Sequence, residues 1–182
     1  MNMNINQAIR FAAYAHKNQK RKGSKTPYIT HPMTVGLILA KHNLPDAVIM
    51  AGILHDTIED CHVSPHEIAA NFGDAVARTV SLVSNLEPFD TYEKRTVAVL
   101  EKIRSTYTPE AVYVRSADVL ANCADIILDA AAGADVFSRF KGTRNEVLAK
   151  QIRVINELIY KMPESPLVPE LASTRSSLSH LM

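Results

Sequence analysis

One short stretch of this chain concentrates side chains that bind metal ions or transfer protons. Within the segment AGILHDTIEDC, six consecutive positions include His55, Asp56, Glu59 and Asp60. His55 and Glu59 are expected on one face, because each residue of a helix advances by about 100°. Asp56 and Asp60 fall on the neighbouring face, so the four side chains form one polar corner. An almost wholly apolar run precedes them, which predicts that this corner ends a buried helix and needs metal, charged partners or shifted pKa values.

A metal site needs ligands from more than one element, and two further residues are candidates. His31 lies in PYITHP, where Pro32 suits the first turn of a helix. Asp118 lies in the otherwise apolar stretch VRSADVLANCADI. The four candidate ligands are His31, His55, Asp56 and Asp118. Two imidazole nitrogens and two carboxylates favour Mn²⁺, ahead of Fe²⁺, Mg²⁺ or Zn²⁺.

These residues suit the hydrolysis of a phosphate ester, which needs a nucleophilic water, charge neutralisation and proton transfer. A divalent ion lowers the pKa of its bound water and polarises a phosphoryl oxygen. Glu59 or Asp60, one turn beyond the ligands, can take or give the proton, and which does which stays open. A cationic loop that suits a highly anionic substrate precedes His31 and contains Lys20, Arg21, Lys22 and Lys25. An ordinary solvated surface is the alternative interpretation of this loop.

Helices must position these groups, because apolar residues recur at helical spacing almost throughout and sustained two-residue alternation is hard to find. An all-α fold follows, with start signals at Ser64-Pro65 and Thr108-Pro109. The predicted helices lie near residues 4–19, 32–42, 45–58, 64–71, 73–86, 90–106, 109–129 and 143–161. The 182 residues suit one domain over 1–162. Residues 163–182 are expected as a C-terminal tail that is packed on the surface or mobile.

Charge and composition narrow the class of partner. The net charge is +1, with Lys+Arg 20 against Asp+Glu 19, which argues against a nucleic-acid partner. Neither a signal peptide nor an apolar run long enough for a bilayer is found, so a cytoplasmic location without membrane contact is expected. Cys61 and Cys123 lack metal-ligand spacing and are expected as small buried residues rather than as a disulfide. The expected partner is a small molecule, and a homo-oligomer stays possible.

The ordered motifs resemble those of the HD-domain phosphohydrolases, and more narrowly the hydrolase domain of Rel-type alarmone enzymes. The segment AHKNQKRKGSKTPYITHP is similar to that family's pattern AHxxQxRKxxxxPYxxHP. AGILHDTIED resembles its central helix, and VRSADVLAN resembles VKLADxLxN. The likeness runs from about residue 5 to about residue 130. It implies a single HD-domain helical bundle and, since no nucleotide-synthetase domain follows, a stand-alone small alarmone hydrolase.

The resemblance also implies roles for individual residues. It makes the four candidate ligands a Mn²⁺ site and Glu59 with Asp60 the catalytic acidic pair. The implied substrate is guanosine with a diphosphate or triphosphate at the 5′ position and a diphosphate at the 3′ position, and pyrophosphate is removed to leave GDP or GTP. The family's base-binding arginine falls on Arg21 and its nucleoside-contacting asparagine on Asn122. The full set of implied substrate contacts is Arg21, Lys22, Tyr28, Asn122 and Arg144.

Departures from the family pattern keep other functions open. Arg115 stands where the pattern has lysine, and the frequent asparagine-x-arginine pairing becomes Asn122-Cys123-Ala124, which removes a cation near the nucleoside. One alternative is an HD phosphohydrolase for an adenosine alarmone, a nucleoside monophosphate or a phosphorylated dinucleotide cofactor. Another is a non-catalytic, nucleotide-binding regulatory module. A structural helical adaptor is a third, and it predicts no bound metal.

Overall fold

The chain folds into helices that surround one central, buried helix. The computed structural model describes residues 4–85 and 89–182, and these contain ten α-helices, one short 3-10 helix at Val136–Arg139 and no β-strand. The predicted all-α fold is confirmed for these residues. In the described part of the chain, no helix combines the length and apolar character needed to cross a membrane. The helices are α1 Ile5–Ala15, α2 Thr30–Lys41, α3 Asp46–Leu54, α4 Thr57–Cys61, α5 Pro65–Phe72, α6 Asp74–Val83, α7 Tyr92–Ser105, α8 Pro109–Ala131, α9 Arg144–Lys161 and α10 Val168–Ser179.

Hydroxyl side chains start several of these helices. Ser64 and Thr108 accept hydrogen bonds from backbone N–H groups in the first turns of α5 and α8, each with proline at the start of the helix. Both predicted start signals are therefore confirmed. Thr143 opens α9 with a capping box, because its side chain and that of Glu146 each accept from the other's backbone N–H. These local contacts satisfy N–H groups that have no partner inside the helix.

Helix α3 forms the centre of the core, and α1, α2, α6 and α8 pack around it. Every residue from Val48 to Leu54 is buried. Two glycines let α2 and α3 approach closely: a Cβ atom on Gly36 would lie 2.6 Å from Ile53 Cγ1, and one on Gly52 would overlap the Leu39 side chain. This close antiparallel packing brings the start of α2 beside the end of α3.

The structure divides the helix predicted over residues 45–58. Helix α3 ends at Leu54, and α4 begins at Thr57, whose hydroxyl donates to the Leu54 carbonyl oxygen at 2.7 Å. His55 and Asp56 therefore lie at a junction between two helices rather than inside one. The helix predicted over 73–86 is α6, which ends at Val83, and position 86 falls outside the described residues.

The C-terminal segment contains a helix that the sequence patterns did not predict. Helix α10 packs against α8 and α9, and Leu171 and Leu178 are buried there. Glu170 joins this helix to the end of α2, because its carboxylate accepts from Lys41 Nζ at 2.5 Å and lies 3.1 Å from His42 Nε2. The division of the chain after residue 162 stays a prediction.

Candidate metal and nucleotide site

Three parts of the bundle bring the candidate metal ligands together: the first turn of α2, the junction between α3 and α4, and the middle of α8. Ligand atoms of His31, His55 and Asp118 all lie within 4.8 Å of one another, and all three residues are buried. Asp118 Oδ1 is 3.2 Å from His31 Nε2 and 3.7 Å from His55 Nε2. Asp56 Oδ2 is 3.0 Å from His55 Nε2 and 3.7 Å from His31 Nε2. All four side chains therefore converge on one point.

The tautomer of His55 makes this point suitable for a cation. His55 Nδ1 lies 2.8 Å from the Gly52 carbonyl oxygen, which can only accept, so Nδ1 carries the hydrogen. In the neutral ring, Nε2 then presents a lone pair toward carboxylate oxygens of Asp56 and Asp118, which are themselves acceptors. Among the described residues, this buried Nε2 has no hydrogen-bond partner. A divalent metal ion between these groups would satisfy all of them, so the residues fit a metal site.

The charges of the site keep both carboxylates ionised. Burial favours the neutral form of Asp56, but the neighbouring His55 lowers its pKa to about 2. Burial acts on Asp118 in the same way, yet the neighbouring His31 and His55 rings and the positive charge of Arg115 hold its pKa well below the usual range. Burial opposes protonation of His55, whereas Asp56 and Asp118 raise its pKa well above the ordinary value. Both carboxylates are therefore anions that can bind a metal ion.

Two neighbours on α8 fix the orientation of the Asp118 carboxylate. Arg115 Nη1 donates to Asp118 Oδ2 at 2.8 Å, and Asn122 Nδ2 donates to Asp118 Oδ1 at 2.6 Å. Arg115 Nη2 also donates to the Val83 carbonyl oxygen at 2.5 Å. The forked guanidinium thus contacts α6 and Asp118 through two separate nitrogens, whereas a lysine has only one. The arginine at position 115 is consequently a support for a candidate ligand.

Tyr28 plays a similar part for Asp56. Its hydroxyl donates to Asp56 Oδ2 at 2.7 Å. Burial, and then the Asp56 and Asp60 carboxylates, raise the pKa of Tyr28 well above its usual value, so it stays a hydrogen-bond donor. The structure therefore places Tyr28, predicted as a substrate contact, in direct contact with a candidate ligand.

Arg21 joins the cationic loop to α8. Its Nη2 donates to Asn122 Oδ1 at 3.0 Å and to Asp125 Oδ2 at 2.7 Å, and its guanidinium lies 5.6 Å from the centre of the Tyr28 ring. The predicted contacts Arg21, Tyr28 and Asn122 thus form one continuous wall. Lys22 follows on the exposed side of the same loop, where it also lines the cavity.

The acidic pair lies on α4, beside the ligands. Glu59 Oε2 accepts from the Asn85 backbone N–H at 2.8 Å, and its Oε1 accepts from Arg95 Nη2 at 3.0 Å. Asp60 is exposed, and its backbone oxygen accepts from Gln19 Nε2 at 2.8 Å. Both side chains line the cavity. Glu59 is therefore held in one position, whereas Asp60 is open to solvent.

These groups border a cavity of about 1050 Å³. One end holds the candidate ligands and the acidic pair, and the walls carry cations. The lining cations beyond Arg21 and Lys22 are Arg95, Arg115, Arg139, Lys141 and Lys150. Lys150 was not predicted as a site residue, although one signal was available: it lies three residues after Val147 and four before Val154, both buried, so it falls toward the apolar face of α9.

Arg144 is the one predicted contact that the structure does not bring to the cavity. It is the first residue of α9, and its Nε donates to the Leu181 carbonyl oxygen at 2.9 Å. Its guanidinium lies 5.1 Å from the centre of the Phe137 ring. These contacts direct the side chain toward the C-terminal segment, so this geometry does not support its predicted role.

Comparisons with known proteins agree with the fold and the motifs. The sequence profile described as an HD domain matches residues 8–144. MESH1 of Xenopus tropicalis, a guanosine-3′,5′-bis(diphosphate) 3′-pyrophosphohydrolase, is 35% identical over 129 residues, covering 67% of this chain and 69% of that protein. A GTP pyrophosphokinase of Streptomyces coelicolor is 36% identical over 120 residues, covering 65% of this chain and 14% of that protein, so this chain spans only a small part of its length.

A solved structure is similar over nearly the whole chain. It is a metazoan orthologue of SpoT that hydrolyses ppGpp, and it superposes with a TM-score of 0.79. The superposition covers 97% of this chain and 94% of that chain at 22% sequence identity. At this identity, the likeness establishes the fold.

Proposed function

The chain belongs to the HD domain family, whose profile matches residues 8–144, and on this premise we propose that it is a metal-dependent hydrolase of guanosine alarmones. It removes pyrophosphate from the 3′ position and leaves GDP or GTP. The observation that carries the proposal is the convergence of two buried imidazoles and two carboxylates beside a cavity lined by cations. The activity for which the Xenopus relative is named supports the substrate. We propose the cytoplasm as the place of action and a nucleotide as the partner.

The proposed ion is Mn²⁺, with the four ligands His31, His55, Asp56 and Asp118. A bound divalent ion would supply a water of lowered pKa and a positive charge on a phosphoryl oxygen. Around it, the chain fixes three of the four ligands by an outer contact: Gly52 orients His55, Tyr28 orients Asp56, and Arg115 orients Asp118. Such outer contacts typically change metal affinity or activity by about 10–100-fold when they are removed.

The reaction transfers one proton from water and one to the leaving oxygen. A water oxygen bonds to the inner phosphorus of the 3′ diphosphate while the bond from that phosphorus to ribose O3′ breaks. The water loses a proton, and O3′ gains one. Glu59 and Asp60 carry these two transfers, because they line the cavity one turn beyond His55 and Asp56.

The nucleoside occupies the wall formed by Arg21, Tyr28 and Asn122. Arg21 lies against the Tyr28 ring and offers guanidinium N–H groups at the cavity. Lys22, on the exposed lip, meets the 5′ phosphates as they enter. The resemblance of the RKG…PY loop to the alarmone enzymes supports this assignment.

A second candidate is an HD phosphohydrolase that acts on another nucleotide. One observation favours it: Asp125 neutralises Arg21 at 2.7 Å, beside the position where the family pattern has an additional cation. A less cationic nucleoside wall suits an adenosine alarmone or a nucleoside monophosphate as well.

A substrate panel separates the two candidates. The Mn²⁺-loaded protein is given guanosine 3′,5′-bis(diphosphate), the matching adenosine compound, and nucleoside 5′-monophosphates, and kcat/KM is measured for each. We expect the guanosine compound to be preferred by about tenfold or more, which corresponds to the loss of one good polar contact. Preference for another member of the panel would overturn the guanosine assignment and keep the metal site.

A further inference from the structure

Lys150 is a half-buried cation on α9 that lines the cavity and has no role in the function described so far. Its Nζ lies 5.1 Å from the centre of the Tyr92 ring. Within residues 4–85 and 89–182, no carboxylate oxygen lies within 4.0 Å of that nitrogen. A half-buried ammonium that has no carboxylate partner among the described residues is costly unless a bound anion compensates it.

The arginines that line the cavity differ from Lys150, because each already pairs with a carboxylate. These ion pairs are Arg21 with Asp125, Arg95 with Glu59, Arg115 with Asp118, and Arg139 with Asp129. Lys22 and Lys141 also line the cavity, but both are exposed, so water screens their charge. Of the described cations that line the cavity, Lys150 is therefore the one that is both partly buried and without a carboxylate partner.

Lys150 lines the same cavity as Asp118 and Glu59, and it packs against Tyr92 at the start of α7, where Arg95 pairs with Glu59 at 3.0 Å. Burial, and then the positive charges of Arg95 and Arg115, lower the pKa of Lys150 to about 8. The carboxylates of Asp118 and Glu59 act on it in the opposite direction. Lys150 is thus within electrostatic reach of a candidate metal ligand and of a proposed catalytic acid, and it is still mainly protonated at neutral pH.

We propose that Lys150 binds the outer phosphate of the diphosphate that is cleaved off, and that it makes the site prefer a diphosphate to a monophosphate at that position. This inference rests on the proposed function, in which the inner phosphate lies at the metal ligands. A monophosphate there brings no charge to Lys150. A diphosphate extends the anion away from the ligands and brings charge to Lys150 as well.

Calorimetric binding of two simple anions to the Mn²⁺-loaded protein tests the inference. The probes are methylenediphosphonate, a diphosphate that cannot be hydrolysed, and inorganic phosphate. Lys150→Met is expected to weaken methylenediphosphonate binding by about tenfold or more, because a charge-assisted contact is lost. Phosphate binding is expected to change by less than about twofold, and Lys150→Arg is expected to retain most of the methylenediphosphonate affinity.

The matched control is Lys17→Met, which removes a lysine whose Nζ lies 4.3 Å from the Tyr14 ring centre, outside the residues that line the cavity. It is expected to leave both affinities unchanged. Methionine keeps the length of the lysine stem, and thermal unfolding together with metal content confirms that each variant is folded and loaded. If Lys150→Met melts early, Lys150→Gln, which keeps a polar end, repeats the measurement.

Two results would overturn the inference: unchanged methylenediphosphonate affinity in Lys150→Met, or an equal loss for phosphate and methylenediphosphonate. Hydrolysis of the guanosine alarmone by the wild-type protein is measured in parallel. Alarmone hydrolysis without Lys150-dependent binding would overturn the inference and leave the proposed function intact. Lys150-dependent binding without alarmone hydrolysis would overturn the proposed function and leave the diphosphate contact of Lys150 intact.

Discussion

Single residues hold candidate ligands in position through contacts outside the metal site. The Gly52 carbonyl fixes the tautomer of His55, and Arg115 turns one oxygen of Asp118 toward the histidines. None of these contacts involves Glu59, which is held by Asn85 and Arg95. The binding of a metal ion and the transfer of protons can therefore be separated by substitution.

Asp56 and Glu59 provide this separation. Asp56→Ala is expected to lose bound metal and activity together, because it removes a ligand oxygen. Glu59→Gln is expected to keep the metal and lower kcat by about 10²–10⁴-fold, since an amide cannot accept the proton. Elemental analysis and pyrophosphate release check both variants. Glu101→Gln, at an exposed position of α7, serves as the control. If Glu59→Gln has the same kcat as the wild type, Glu59 does not take part in proton transfer.

The ionisation of Lys150 predicts a pH effect on stability. Its pKa in the folded protein is lowered to about 8, by burial first and then by Arg95 and Arg115, whereas an unfolded lysine titrates near about 10.4. Between these values the unfolded chain binds more protons, so the stability contributed by this group rises with pH. The other groups that face it are Tyr92 on α7, Asp118 on α8 and Glu59 on α4.

Lys150→Met isolates this effect, because the remaining groups titrate in both proteins. The variant is expected to be more stable than the wild type at pH 7, and the difference is expected to shrink as the pH rises from about 8 toward about 10. Urea unfolding at several pH values measures the free energy of unfolding of both proteins. A difference that stays constant over this range would show that Lys150 keeps an ordinary pKa.

The packing of α2 against α3 sets the distance between His31 and His55. Gly36 and Gly52 allow α2 and α3 to pack closely, and the His31 and His55 rings lie 5.1 Å apart at the end of this contact. A methyl group at position 52 would overlap the Leu39 side chain and approach Val35 Cγ1 at 3.2 Å. The helices would have to separate to accommodate it.

Gly52→Ala is therefore expected to lower the free energy of unfolding by about 1–3 kcal/mol and to weaken metal binding. Gly133→Ala is the control, because position 133 has φ +76° and a methyl group added there would meet no neighbouring atom within 4 Å. That substitution costs about 1 kcal/mol of backbone strain and is expected to leave metal affinity unchanged. If titration shows that Gly52→Ala binds metal with wild-type affinity, the spacing between α2 and α3 does not determine the geometry of the metal site.

Local sequence patterns predicted the presence of the helices better than the residues at which they end. The start signals at Ser64 and Thr108 were recognisable, because proline and hydroxyl residues act within one turn. The break at His55-Asp56 was not, because the sequence there is as helical as its surroundings. The break lies where the Thr57 hydroxyl donates to the Leu54 carbonyl oxygen. Whether this hydrogen bond forms depends on the packing around the junction.

Contacts between distant parts of the chain explain which features of the site could not be predicted from the sequence. The four candidate ligands and the acidic pair could be proposed from short motifs, because their types and order suffice. Lys150 could not, since its role depends on how α9 lies against α7 and α8. The position of Arg144 likewise depends on the C-terminal segment, whose helix the prolines near residue 165 concealed.

At the scale of the whole molecule, α10 completes the surface that covers α8 and α9. Leu167, Leu171 and Leu178 are fully buried in this contact, so the segment adds apolar burial to the helices that carry Asp118 and Lys150. We expect it to unfold together with the rest of the chain, because separating it would expose these leucines to water.

Leu171→Ala tests this coupling. It is expected to lower the free energy of unfolding by about 2–5 kcal/mol while the unfolding transition stays single and metal affinity stays unchanged. Leu128→Ala, at a position that is 67% exposed, is the control and is expected to change stability by less than about 0.5 kcal/mol. Chemical denaturation followed by circular dichroism measures both, and a second, separate transition would show that residues 163–182 unfold on their own.

The most direct test of the proposed function is the release of pyrophosphate from guanosine 3′,5′-bis(diphosphate) by the purified protein. The protein is first stripped of metal, and the rate is measured before and after Mn²⁺ is added. We predict no release from the metal-free protein, release when Mn²⁺ is restored, and GDP as the second product. Release that does not depend on metal, or no release with Mn²⁺ bound at the four ligands, would contradict the proposal.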